Sequence, residues 1–248
     1  MYFTTSWDDG SVHDTRLADL LSEHGIRGTF YIPVKNREIS SLLSPASIRS
    51  LSANFETGGH TYSHCILTEV PEKTAEEEIK KGKEALENIT GKSLSAFCFP
   101  RGKYRTIHVR MMRDAGFLFG RTVSNFHTGK LMRNENKLMD VSIQFYPHKN
   151  TVYLRNTLLE GNFEGWRNFM SASVKARGAF SLHRELLSLA LGRKGCFHLW
   201  GHSWEIEKYG LWDELSSFLK HVSSLPEVVH CTNTELAEIS GSTYKRTS

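Results

Sequence analysis

The opening stretch, Met1–Val34, reads MYFTTSWDDGSVHDTRLADLLSEHGIRGTFYIPV. Its first residues, MYFTTS, have the aromatic and β-branched character of a strand. VHDTRLADLLSEHG (12–25) reads as a helix closed by Gly25, a residue suited to the left-handed turn after a helix. GTFYIPV (28–34) is a second strand. A strand, a helix and a strand in this order predict a parallel pair with a helical crossover.

Outward from there the alternation continues. A helix is expected around SPASIRSLSA, with Ser44 as N-cap and Pro45 at the first helical position. FETGG is a third strand. TAEEEIKKGKEALENITG carries a capping-box pattern, Thr74 with Glu77 three residues on, and stops at Gly91. SAFCF is a fourth strand, RTIHVRMMRDAG a helix ending at Gly116, and FLFGRTV the next strand. VSIQFY alternates as a strand. FSLHRELLSLALG reads as a helix, GCFHLWG as a strong strand, LWDELSSFLKHVSSL as an amphipathic helix, EVVHC as the last strand and TNTELAEIS as a closing helix. No element is assigned to Ser124–Lys137.

Seven or eight strand–helix units in 248 residues predict an α/β fold, a distorted (β/α) barrel of about seven parallel strands. An open doubly wound sheet is the alternative. One domain is expected over residues 1–240, followed by a polar, frayed tail, 241–248.

Composition sets limits. The chain is 39% hydrophobic and 23% charged, with a formal net charge of +4. That balance, with no basic run interleaved with aromatics, gives no case for nucleic acid. Cys65, Cys98, Cys196 and Cys231 form no CxxC pair and read as reduced thiols. The N-terminus lacks a charged and apolar leader, and no run of about 18 apolar residues could span a membrane. A cytoplasmic protein without a membrane partner is expected.

In a parallel barrel, chemistry collects at the C-terminal ends of the strands. Asp8 and Asp9 follow the first strand, His60 and His64 the third, PRGKY the fourth and His202 the strand GCFHLWG. Taken singly, an Asp pair is an ordinary turn and HxxxH a degenerate pattern. Together they point at one face. If HxxxH lies on a helix, both imidazoles share a side and reach one metal. One of Asp8 and Asp9 then completes a ligand set of two nitrogens and one carboxylate, suited to Zn²⁺ with an open position, and the other acts as a base.

TTSWDDG, GGHTYSHCILT, FCFPRGKY and FHLWGHS resemble, in order, the motifs of the polysaccharide deacetylases of the NodB-homology type. The resemblance implies a distorted barrel and a metal-dependent hydrolase that removes an N-acetyl or O-acetyl group from a carbohydrate. It implies Asp8 as catalytic base and His202 as general acid. Asp9, His60 and His64 would bind the metal, by default Zn²⁺, with Co²⁺, Ni²⁺ or Mn²⁺ able to use the same ligands. Pro100 and Arg101 would lie on the substrate groove, with the Arg101 N–H facing the oxyanion, and Trp200 and Trp204 would stack on a sugar ring. The expected partner is an acetylated carbohydrate or a small molecule. Alternatives are a hydrolase of another non-peptide C–N bond in a small amide, or a non-catalytic carbohydrate-binding relative.

The chain departs from the pattern at three points. Cys65 stands where a proline follows the second histidine. Cys98 occupies the position of an arginine that orients the base, with Arg101 and Arg121 as candidate substitutes. Asp140 is the candidate for the later aspartate that steadies His202. Glu205 is read as solvated or as a contact to a substrate hydroxyl.

Overall fold

The computed structural model describes residues 1–244 except 134–136, 147, 160 and 179. The last four residues of the expected tail lie outside the described residues. Residues 241–244 continue the final helix, α10 (Asn233–Tyr244).

The strand–helix–strand reading of residues 1–34 holds as β1 (Tyr2–Asp8), α1 (Asp14–Glu23) and β2 (Thr29–Ile32). β1 and β2 pair in parallel with Trp7 opposite Phe30. Beyond them come α2 (Pro45–Asn54), β3 (Glu56–Gly59), α3 (Glu72–Thr90), β4 (Ala96–Cys98), α4 (Thr106–Asp114) and β5 (Phe119–Arg121). Ser44 caps α2 as expected, accepting from the Ser47 N–H at 3.1 Å. The capping box at Thr74 does not form. Pro71 is the N-cap of α3, and its carbonyl already accepts from Ala75. Thr74 and Glu77 therefore lie inside the helix. Gly91 closes α3 at φ 69°.

The second half is more broken. It contains β6 (Met132–Arg133), β7 (Leu138–Met139), β8 (Ile143–Gln144), α5 (Asn150–Leu159), α6 (Phe163–Lys175), α7 (Ser181–Gly192), β9 (Cys196–Gly201), α8 (Ser203–Tyr209), α9 (Trp212–Ser223) and β10 (Val229–His230). The short strands β6 and β7 and the helices α5, α6 and α8 have no counterpart in the sequence reading.

The strands form one curled sheet in the order β6-β7-β5-β4-β3-β2-β1-β9-β8, with β10 also on β1. All described pairings are parallel except β6–β7. This is the expected distorted barrel, with ten strands rather than about seven. No ladder joins β7 to β8 among the described residues. Residues 124–128 span that gap, where Val141 N donates to Ser124 O and Phe126 N to Ser142 O.

β1 is central and almost wholly buried, as a parallel strand covered on both faces must be. Phe3, Trp7, Phe30, Phe97 and Phe197 are fully buried, each contributing about 1.5–3 kcal/mol by the usual transfer scale. The polar residues of β1 are satisfied. Thr4 Oγ1 donates to Asn233 Oδ1 at 2.8 Å, and Ser6 Oγ lies 2.8 Å from His198 Nε2. Among the described residues no helix is long and apolar enough to cross a membrane.

Candidate active site

The strand ends of the barrel surround a cavity of about 390 Å³, lined on one side by Asp8, Asp9, His60, His64 and Arg101 and on the other by Trp200, His202 and Trp204. These eight expected residues are brought together. Pro100 is buried in the turn Pro100–Gly102 and is not among the lining residues.

His60 and His64 do not lie on a helix. They flank a loop after β3 in which Thr61 and His64 have positive φ, 61° and 57°. For a β-branched residue such as Thr61 this conformation is strained, so neighbours must hold it. Glu78 of α3 accepts from the N–H groups of Tyr62 and Ser63 at 3.1 and 2.8 Å and from Ser63 Oγ at 2.8 Å. Gly82, one turn further, lets α3 approach the loop backbone; a Cβ there would sit 2.7 Å from the Thr61 carbonyl carbon. Thr61 Oγ1 accepts from Cys65 N at 2.9 Å, a bond that a proline at position 65 could not donate. The loop places the two rings 5.0 Å apart. It does by turn geometry what the helical reading assigned to an i, i+4 face.

His60 Nδ1 lies 2.8 Å from the Cys98 carbonyl. Only a ring nitrogen bearing hydrogen can pair with a carbonyl, so Nδ1 carries a proton and Nε2 is the atom that faces Asp9. Asp9 Oδ1 is 3.6 Å from His60 Nε2 and 3.1 Å from His64 Nε2. The ligand atoms of Asp9, His60 and His64 all fall within 4.8 Å of one another. Asp9 Oδ1 is buried without a hydrogen-bond partner. A buried carboxylate oxygen left without a donor and facing two imidazole nitrogens fits a divalent cation. Asp9 Oδ2 accepts from Trp204 Nε1 at 2.8 Å, so Trp204 orients Asp9 as well as lining the cavity. Burial works against the Asp9 charge, but the two imidazoles beside it hold its carboxyl well below the usual carboxylate range.

Asp8 has a different environment. Both its oxygens accept from Arg121 Nη2, and Arg121 is fully buried at the end of β5. The guanidinium lies 4.8 Å from the Trp200 ring and 5.3 Å from Tyr31. Burial opposes its charge, yet Asp8 beside it raises its pKa. Cys98 and Arg121 are register partners across β4 and β5. The neighbouring strand thus delivers an arginine at the level where Cys98 stands, and Cys98 Sγ lies 3.7 Å from Asp8 Oδ2. Arg101 points elsewhere, to Glu38 at 2.9 Å. A third aspartate, Asp14, is fully buried nearby; burial pushes its pKa well up against the bond from Ser203.

Asp140 does not reach His202. It accepts from Thr122 Oγ1 at 2.7 Å and from Arg133 Nε at 2.5 Å, because β7 puts it beside β5 and β6 rather than β9. The partner of His202 Nδ1 is Glu205 Oε2, at 2.7 Å. Glu205 is one helical turn further along α8 and is itself held by Gln144 Nε2 at 2.9 Å. Glu205 Oε2 is thus shared between His202 and Gln144. Burial would lower the His202 pKa, but Glu205, with the charges of Asp9 and Asp8, pushes it up to about 9. His202 Nε2 faces the cavity, 3.8 Å from Asp9 Oδ2. Asn125, Gln144, His148 and Tyr153 also line the cavity. No local motif marks them; an accurate reading of residues 124–160 would have been needed.

Residues 2–120 match the family model described as Polysaccharide deacetylase. This segment belongs to the polysaccharide deacetylase family. Solved structures resemble nearly the whole chain. A protein assigned as a polysaccharide deacetylase from Mycobacterium smegmatis superposes with a TM-score of 0.72 at 19% identity, over 98% of this chain and 91% of that one. The Xyl-CE4 domain of a multidomain xylanase from the hindgut metagenome of Trinervitermes trinervoides gives 0.58 at 13%, over 97% and 91%. A family 4 acetyl xylan esterase from Clostridium thermocellum, in complex with a cobalt ion, gives 0.56 at 14%, over 97% and 92%. At these identities the likeness establishes the polysaccharide deacetylase fold across the second half of the chain. No curated protein sequence matches the chain.

Proposed function

We propose that this protein is a metal-dependent hydrolase that removes an acetyl group, by preference an N-acetyl group, from a carbohydrate. The observation that carries the reading is the convergence of Asp9, His60 and His64 next to two differently prepared proton carriers, Asp8 on Arg121 and His202 on Glu205.

Asp9 Oδ1, His60 Nε2 and His64 Nε2 would hold a divalent cation, Zn²⁺ by donor type, which supplies a Lewis acid to polarise the acyl carbonyl and acidify water. Asp8 takes the proton of the attacking water. Arg121, which donates to both Asp8 oxygens, fixes the plane of the carboxylate at the cavity wall. The Arg101 N–H has no acceptor among the described residues, and it donates to the developing oxyanion. His202, held protonated by Glu205, hands its Nε2 proton to the leaving group. An amine leaves very poorly unless protonated, which favours the N-acetyl bond. Trp200 offers an apolar wall to a sugar ring, its indole N–H already given to Asn125 Oδ1 at 3.1 Å.

The test is acetate release from acetylated chito-oligosaccharides together with metal content of the purified protein. The expected result is about one metal per chain, acetate release in the wild type, metal without acetate in Asp8→Asn, and neither in Asp9→Ala. A wild type that binds no metal and releases no acetate overturns the reading in favour of a non-catalytic carbohydrate-binding protein.

A further inference from the structure

The modest overall charge conceals a sharp asymmetry. Residues 101–137 hold nine Lys and Arg against two acidic residues, Asp114 and Glu135, a local charge of +7. The rest of the chain, with 22 basic and 25 acidic residues, is −3. Of the nine cations only Arg121 is buried in the catalytic centre.

Part of this charge surrounds a second cleft of about 310 Å³, lined by Tyr104, Thr106, Arg110, Arg113, Arg133 and Leu138. Arg110 and Arg113 are three residues apart on α4, so they project from one face. Both are exposed, and neither has an ion-pair or hydrogen-bond partner for its guanidinium among the described residues. Arg133 holds Asp140 through Nε. The cleft adjoins the catalytic cavity. Phe99 lines the cavity, Tyr104 lines the cleft, and their rings stack at 4.6 Å. Lys103 and Arg105 carry positive charge along the chain from one to the other, while Arg101 at the cavity mouth is paired with Glu38.

We propose that this arginine cleft is an anion-binding subsite for the carbohydrate substrate, taking a phosphate, carboxylate or sulfate carried near the acetylated sugar. The inference rests on the deacetylase reading for its substrate but not for its binding site. Two unpaired guanidinium groups on one helix face can fork onto an oxyanion and give charge-assisted hydrogen bonds. A neutral glycan leaves both unanswered. A substrate that spans the Phe99–Tyr104 stack is therefore selected for negative charge by residues outside the catalytic centre.

Calorimetric titration tests this in the wild type and in Asp9→Asn, where the proposed metal site is impaired and a metal-bound anion cannot mimic the cleft. The probes are N-acetylglucosamine 1-phosphate, a glucuronate-containing tetrasaccharide with N-acetyl groups, and the neutral N-acetylglucosamine tetramer. At least one anionic probe is expected to bind about tenfold or more tightly than the neutral one, the order expected of charge-assisted contacts. Which anionic probe binds separates a sugar phosphate from an acidic polymer. Arg110→Glu with Arg113→Glu removes that advantage, and Arg110→Gln with Arg113→Gln serves if the reversed pair does not fold. Lys73→Glu with Lys220→Glu, an equal charge change on exposed lysines elsewhere, keeps it. Equal affinity for charged and neutral probes overturns the proposal, as does an equal loss in the lysine pair. Acetate release reads the deacetylase assignment separately: cleft binding without turnover leaves the subsite standing and the activity rejected.

Discussion

The two halves of the barrel are built by different means. From β1 to β5, each expected strand and helix is present, and parallel strands alternate with helices of nine to nineteen residues. From residue 122 to 180 the strands shrink to two residues each and the sheet path breaks. Two helices that hold Tyr153 and Asn168 take over the wall. In the first half local pattern suffices, because each unit packs on its sequence neighbour. In the second, backbone groups find partners far along the chain. Asn168 Nδ2 donates to Phe126 O at 2.8 Å, while its Oδ1 accepts from Arg193 at 2.9 Å. No window of sequence contains such a contact.

If the first half carries the chemistry, its residues should dominate the largest losses. Asp8→Asn removes the base while leaving a hydrogen-bonding side chain of the same shape. Turnover is expected to fall about 10²–10⁴-fold, the usual range for a positioned acid or base, with metal content unchanged. Steady-state acetate release measures it, and near wild-type turnover would break the assignment of Asp8.

Arg121 joins the halves, since it ends β5, which pairs in parallel with β4 of the first half and with β7 of the second. Arg121→Met leaves Asp8 buried without its guanidinium partner. Breaking one side of a buried pair costs about 3–5 kcal/mol. Urea unfolding should show this as a lower midpoint with an unchanged slope. A loss below about 1 kcal/mol, the range of exposed pairs, would mean that Asp8 has another counter-charge and that the seam is not where the halves are locked.

The second half is sharpened by a smaller change. Asn168→Ala strips a fully buried amide of its bonds to the Phe126 carbonyl and Arg193. Leaving such groups unsatisfied costs about 1–3 kcal/mol. The loss should appear in the unfolding midpoint, and amide exchange should quicken first at residues 124–128. Uniform acceleration across β1–β5 would show that the two halves unfold as one unit and that the distinction is only one of legibility.

Legibility followed the same line. The Asp pair, both histidines of the candidate metal site and His202 could be picked out because strand ends in a parallel barrel share a face. The geometry of HTYSH could not, because positive φ at Thr61 and His64 is imposed by Glu78 and Gly82 from α3. Arg121 was legible only as one of two candidates, since choosing it requires the register of β4 against β5. Asp140 was the wrong partner for His202 for a related reason. The sequence places it before a strand-like run, but the two-residue β7 attaches it to β5 and β6. Glu205 was in plain view three residues after His202, yet its role depended on α8, which no cap or periodicity announced. The +4 total also concealed the +7 segment, because a net count discards position.

Glu205 is the second half's support for the candidate acid, since Gln144 of β8 holds it against His202. Its removal should give the smallest effect at neutral pH. With its pKa pushed up to about 9, His202 stays protonated through neutrality and loses its proton as pH rises through that value. Activity that needs His202 as an acid is therefore expected to persist at neutral pH and fall above about 9. In Glu205→Gln the main favourable contact to the imidazolium is weakened while burial still opposes charge, so the limb moves down toward the ordinary imidazole range. If it returned fully to about 6.5, only about a quarter of the protein would hold the acid at pH 7, a roughly fourfold loss that grows as pH rises. The pH dependence of kcat separates this from a structural defect, because a misplaced His202 lowers the plateau at every pH, whereas a lost counter-charge moves the limb and leaves the acidic plateau intact. An unmoved limb would mean that His202 draws its proton affinity from Asp8 and Asp9 alone. The second half would then supply His202 itself to the chemistry, with Gln144 and Glu205 serving only as its wall.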